Sequence, residues 1–184
     1  MSQIDDDVTL VRAALDDPTA FGALYERYAR SIFGYCYRWL GSADAAEDVT
    51  STIFMRALAQ LSTFRGDGSF RSWLFAIAFR TLNETKRRRT HESADDDLFD
   101  ALADPDPLPL DRVIARDDAA ALRRAVESLP GVQREVVLLR LAGLSTAEIA
   151  AALGKRHDAI RAAQSRAFAQ LRSLIREEEV ARGA

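Results

Sequence analysis

The sequence predicts an all-α protein: two small helical domains joined by a flexible acidic linker, the C-terminal one a helix-turn-helix. Three observations carry that prediction. Apolar residues recur at three- and four-residue steps through most of the chain, while no alternating apolar run persists. That periodicity collapses between His91 and about Arg116, where acids and prolines accumulate. Charge is segregated too: net −4 over residues 1–63, +5 over 64–90, −8 over 91–118 and +5 over 155–176, in a chain of overall charge −3.

Length and composition bound the rest. A chain of 184 residues supports one medium domain or two small ones. With 48% apolar and 29% charged residues, a buried core is expected and wholesale disorder is not. The single Cys36 cannot form an internal disulfide, and its place in an apolar stripe reads as packing. The start carries Asp5, Asp6 and Asp7 and no basic-then-apolar signal. The longest apolar run, Trp73 to Phe79, is far shorter than the roughly 20 residues that cross a bilayer. A cytoplasmic protein with no membrane contact is the expectation.

Along the chain, residues 1–18 read as an N-terminal tail. A first helix opens after Asp16-Asp17-Pro18-Thr19, with Phe21, Leu24, Tyr25, Tyr28, Ile32, Phe33, Cys36 and Tyr37 as its stripe. Gly41 closes it in the left-handed conformation that favours glycine. A second helix starts at Asp44 with Glu47 as its capping-box partner, and Val49, Ile53, Phe54, Ala57, Leu58 and Leu61 form its apolar side. Ser62 to Ser69 reads as a loop around Gly66 and Gly68. A third helix follows with Phe70, Trp73, Leu74, Ile77, Ala78 and Leu82 inward, running out into Lys86-Arg87-Arg88-Arg89. The first domain therefore spans 19–90 and the acidic linker 91–117. The second domain spans 118–176, with Leu122, Val126 and Leu129 on one face. Pro130 sits at a first helical position, and Val132, Val136, Val137 and Leu139 carry the next helix. Residues 177–184 read as a tail.

Enzyme signatures fail. There are two histidines, one in the linker and one at position 157, so no paired histidine site exists. No Gly-rich phosphate loop ending in Lys-Ser/Thr occurs, and no nucleophile elbow. No catalytic, metal or cofactor residue and no small-molecule substrate is expected.

The strongest local pattern runs from Leu144 to Ala167. Ser145 and Glu148 form a capping box, Ile149 and Leu153 share a face, Gly154 breaks the helix and Ile160 seats the next one, as in a helix-turn-helix. Its second helix offers Arg156, His157, Asp158, Arg161, Gln164, Ser165 and Arg166, residue types that hold phosphates and read base edges. In the first domain Phe64, Arg65, Phe70, Arg71 and Trp73 interleave aromatic and basic side chains around the loop, the chemistry of single-strand capture. Phe70 and Trp73 also recur at helix spacing and read as core. The loop residues Ser62, Thr63, Asp67 and Ser69 are the better candidates for polar contact with a splayed base.

Taken in order, these pieces resemble the bacterial sigma factors of the small, two-domain extracytoplasmic-function group of the sigma-70 family. The carrying segments are Phe21 to Tyr28, Ala46-Glu47-Asp48-Val49 through Phe54-Met55-Arg56-Ala57, Phe64-Arg65-Gly66 with Ser69 to Leu74, Leu129-Pro130 with Gln133 to Val136, and the stretch from Leu144 to Arg166. The resemblance implies a protein that binds core RNA polymerase, at the clamp of beta-prime and the flap of beta, and catalyses nothing. It implies that Glu47, Asp48, Phe54 and Arg56 lie near the clamp contact. It places melting and holding of the minus-ten element on Ser62, Thr63, Arg65, Asp67, Ser69, Arg71, Arg80, Lys86 and Arg87, and reading of the minus-thirty-five duplex on the helix from His157. An anti-sigma factor is a further implied partner. Two rival readings stand beside it: a helix-turn-helix regulator with a sensing N-terminal domain, and a helical adaptor with no nucleic-acid role.

Overall fold

The computed structural model describes residues 3–66, 68–92 and 123–183. Among these residues every regular element is helical. In order they are α1 (Gln3–Asp16), a 3-10 turn (Pro18–Ala20), α2 (Phe21–Leu40), α3 (Ala43–Ala59), a second 3-10 turn (Leu61–Thr63) and α4 (Phe70–Glu92). A helical stretch over 123–127, here α5, is followed by α6 (Gly131–Leu141), α7 (Thr146–Leu153) and α8 (His157–Gly183). The chain divides into two compact units, one holding α1 to α4 and one built on α5, α6 and α8. The expected linker lies outside the described residues from position 93 onward; His91 and Glu92 still belong to α4.

The core of the first unit follows from the three-and-four spacing. Leu24, Tyr28, Ile32, Tyr35 and Cys36 of α2 are buried with Val49, Ile53 and Ala57 of α3 and Phe70, Leu74, Phe75, Ala78 and Leu82 of α4. Helix α3 packs on both α2 and α4. Each of the larger side chains contributes about 1.5–3 kcal/mol by leaving water. Gly41 ends α2 with φ of 72° while its N–H donates to Tyr37 O, a conformation that costs other residues about 1–2 kcal/mol.

Three expectations are corrected here. Part of the segment read as a tail is helix α1, with Val11 and Ala14 buried against the unit. Its pattern is masked by Asp7, a charged residue on the buried stripe that is tolerated because both carboxylate oxygens accept hydrogen bonds. Helix α3 starts at Ala43 rather than Asp44, because extended Ser42 caps it by accepting from Ala45 N at 3.4 Å. Asp44 then sits in the first turn, favourable to the helix dipole. Leu58 and Tyr25, expected inward, are 40% and 47% exposed.

In the second unit Pro130 is the N-cap of α6, one position before the expected one. Val136, Leu138 and Leu139 of α6 and Ile160, Ala163, Ala167 and Leu171 of α8 are buried, and the two helices pack together. Val132 points out instead, 45% exposed. Helix α8 continues to Gly183, through most of the segment read as a C-terminal tail. Nothing between Arg176 and Arg182 breaks a helix, and glutamate is a good helix former.

Candidate nucleic-acid interface

The helix-turn-helix is set by local chemistry. Ser145 N donates to Glu148 Oε2 at 2.8 Å and Glu148 N donates to Ser145 Oγ at 3.2 Å, the reciprocal capping box expected from the sequence. At the other end of α7, Lys155 N donates to Ala150 O at 2.9 Å and Gly154 N to Ala151 O at 3.3 Å, with Gly154 at φ of 60°. This pair of bonds is a Schellman turn, which needs a left-handed residue between the two helices. Helix α8 then opens at His157.

Burial of Ile160, Ala163, Ala167 and Leu171 fixes the inner side of α8. Arg156, His157, Asp158, Arg161, Ser165 and Arg166 are all exposed, and Gln164 is half-buried. Asp158, Arg161 and Ser165 follow at steps of three and four and so share one face. Arg156 and Asp158 approach only to 4.0 Å with side chains 90% and 82% exposed, so water screens the pair and both remain accessible to a partner.

In the first unit Ser62, Thr63 and Arg65 are exposed around the second 3-10 turn. Thr63 Oγ1 donates to Gln60 O at 2.8 Å and steadies that turn. Ser69 is half-buried at the start of α4. Its Oγ accepts from Ser72 N at 3.1 Å and caps α4. Asp67 lies outside the described residues. The aromatic residues pack on one another: Phe64 meets Phe70 edge-on at 5.6 Å, Phe70 lies 5.4 Å from Trp73, and Phe64 lies 5.8 Å from Trp73. Phe70 is fully buried and Trp73 half-buried, so the core reading of these rings holds. Along α4, Arg71 is half-buried while Arg80, Lys86 and Arg87 are exposed, with Lys86 Nζ 5.9 Å from the Trp39 ring centre.

Helix α3 separates its four candidates. Glu47 and Asp48 are exposed. Phe54 is only 5% exposed, held edge-on by Tyr25 at 4.7 Å and Phe21 at 6.4 Å, so it cannot be the surface contact expected of it. Arg56 is turned toward α4, where its Nη1 meets Glu84 Oε2 at 2.6 Å and Thr81 Oγ1 at 3.1 Å. That hydrogen bond holds the Glu84 carboxyl below the usual glutamate range. Sequence reasoning missed the apolar residues the helix does present: Met55 is 64% exposed and Leu58 40%. Asp48, Ser51, Met55 and Leu58 follow at three- and four-residue steps, a spacing that signals their common face.

Other chemistry finds little support among the described residues. No group of three or more His, Cys, Asp or Glu is placed to hold a metal ion. No described helix is long and apolar enough to cross a membrane. Cys36 is fully buried, and burial pushes its thiol up to about 12.

Comparison with known proteins bears on the same elements. Residues 24–92 match the model of Sigma-70 region 2, and residues 119–171 match that of Sigma-70, region 4. The ECF RNA polymerase sigma-E factor of Escherichia coli (strain K12) is 32% identical over 163 residues, which cover 81% of this chain and 83% of that protein. The chain belongs to the extracytoplasmic-function sigma factors of the sigma-70 family. The ECF RNA polymerase sigma factor BldN of Streptomyces coelicolor is 36% identical over 171 residues, 91% of this sigma factor and 64% of BldN. The fold is shared with the sigma factor RpoE of Bartonella quintana, solved in complex with the anti-sigma factor NepR, at a TM-score of 0.70 and 24% identity over 85% of this chain and 96% of that one. The two matched segments carry α3, α4 and the helix-turn-helix of this sigma factor, whereas α1 lies outside them.

Proposed function

We propose that this sigma factor binds core RNA polymerase and directs it to promoters by holding the melted minus-ten element on its first unit and reading the minus-thirty-five duplex with α8. The observation that carries the reading is α8 itself. A capped helix-turn-helix leaves Arg156, His157, Asp158, Arg161, Ser165 and Arg166 exposed at the start of its second helix, where a groove-entering helix needs its polar contacts. The exposed Ser62, Thr63 and Arg65, with Arg71, Arg80, Lys86 and Arg87 along α4, supply the cations and hydroxyls for a single strand. The face of α3 bearing Glu47, Asp48, Met55 and Leu58 is the polymerase contact, the clamp of beta-prime being its target and the flap of beta that of the second unit.

Each unit alone contacts few phosphates and binds loosely, with steep salt dependence. Tethering both on polymerase raises the effective concentration at the second site. The acidic stretch between them competes for the basic faces until polymerase is bound; neutralising Asp95, Asp96, Asp97 and Asp104 then raises polymerase-free DNA affinity in a salt titration. An anti-sigma factor is the expected inhibitory partner. It competes with core polymerase for α3, which a displacement titration reads.

The deciding experiment adds the purified chain to sigma-free core polymerase and looks for promoter-specific run-off transcripts. Specific transcripts support the reading. Polymerase-free binding to a palindromic operator, without such transcripts, replaces it with a helix-turn-helix regulator.

A further inference from the structure

We propose that Asp7, from the N-terminal helix α1, is a positioning residue for the loop that captures the minus-ten strand, acting through Tyr28 and Phe70. The inference rests on the promoter-melting reading above and adds a residue outside both matched segments.

Asp7 is 2% exposed and both of its oxygens are engaged. Arg27 Nη1 donates to Oδ1 at 2.6 Å, and the Tyr28 hydroxyl donates to Oδ2. Exchange of a whole buried ion pair for packed apolar side chains is often neutral or stabilising, whereas loss of one partner alone is costly. What a doubly bonded carboxylate supplies is direction, and the group it directs is the Tyr28 ring. That ring is buried and lies 5.6 Å from the ring of Phe70, the first residue of α4. Phe70 in turn touches Phe64 and Trp73, which stand on either side of residues 65–69. Helix α1 also contacts α4 and the 3-10 turn Leu61–Thr63 directly. A continuous set of contacts therefore joins Asp7 to both ends of the loop.

Arg71, next to Phe70, acts electrostatically on Tyr28 in the opposite sense to burial and to Asp7. Burial and Asp7 prevail: the Tyr28 hydroxyl is pushed well above its ordinary value and stays a donor. The arrangement places the helix start, a basic side chain and the aromatic wall of the loop under one buried acid.

The test uses polymerase holoenzyme carrying wild-type chain, Asp7→Ala or Tyr28→Phe, on promoter fragments that the wild-type holoenzyme transcribes. Permanganate reactivity of unpaired thymines measures opening, while separate titrations measure affinity for core polymerase and for minus-thirty-five duplex. Both variants are expected to slow opening about tenfold, the scale of coupling through a packed network, and to leave the two affinities unchanged. If Asp7→Ala fails to fold, Tyr28→Phe decides, because it keeps the ring and loses only the tie to Asp7. Opening at the wild-type rate, or a parallel loss of core affinity, makes Asp7 a brace of the fold and overturns the proposal. If no fragment is transcribed by core polymerase with the wild-type chain in the first place, the sigma reading itself falls and this inference with it.

Discussion

Arg56 of α3 and Glu84 of α4 form an ion pair 2.6 Å long that ties the two helices together. Side chains of both residues are more than a third exposed, so the pair is screened and its net contribution is small, about 0.2–1 kcal/mol. Because Arg56 depresses the folded-state value of Glu84, the stabilisation is present above the ordinary glutamate range and is lost as pH falls through the depressed value. Glu84→Gln is therefore expected to be slightly less stable than wild type at pH 7. Urea titrations at decreasing pH should show the gap closing in acid; a gap independent of pH would mean the carboxylate charge contributes nothing.

The exposed face of α3 makes a second prediction. Met55→Asp places a charge where the side chain is already 64% exposed, so the fold should change by no more than about 0.5 kcal/mol. Affinity for core polymerase should fall by about 1–2 kcal/mol if Met55 is an anchor of that contact. Fluorescence anisotropy with labelled chain reads the difference. Phe54→Ala, by contrast, should unfold the unit before it reports on binding, by about 3–5 kcal/mol.

Cys36 gives a chemical prediction. With its thiol pushed up to about 12 and the residue fully buried, only about one in ten thousand molecules carries the thiolate at pH 8. A thiol reagent should leave the native protein unlabelled for hours and add one equivalent in denaturant. Rapid native labelling would contradict the packing role and point to an opened first unit.

The capping box at α7 can be tested apart from DNA. Ser145→Ala removes the oxygen that accepts from Glu148 N, and loss of an N-cap costs about 1 kcal/mol. Thermal unfolding of the chain should show the decrease in its C-terminal transition, and restoring the cap as Thr should recover most of it.

Arg161 distinguishes two modes of contact. It is exposed on the same face of α8 as Asp158 and Ser165. If it reads a base edge, Arg161→Ala weakens holoenzyme binding to its own minus-thirty-five sequence by about 1–3 kcal/mol and relaxes preference at one position. Uniform weakening over all sequences, with a shallower salt slope, would make it a phosphate contact.

Much of this molecule is written in local signals. Ser145 and Glu148 stand three apart, Gly41 and Gly154 stand where helices must end, and each did in the structure what short-range chemistry requires. The apolar spacing of Leu24, Ile32, Ile53 and Leu82 named core residues for the same reason: a helix repeats every 3.6 residues whatever surrounds it. Signals that depend on a distant partner were not legible. Asp7 looks like solvated charge until Tyr28 and Arg27 are brought to it, and so α1 read as a tail. Phe54 and Met55 are adjacent apolar residues, and only the packing of Tyr25 and Phe21 decides which is inside.

The sequence by itself determined α2 to α4, α6 and the helix-turn-helix, the capping box at Ser145 and Glu148 and the exposed basic start of α8, because those follow from bonds between residues a few positions apart. Tertiary structure alone decided that α1 belongs to the first unit, that Arg56 turns toward Glu84 and that Met55 rather than Phe54 faces out. Each of these choices is made by groups far apart in the chain, whose mutual burial no local pattern encodes.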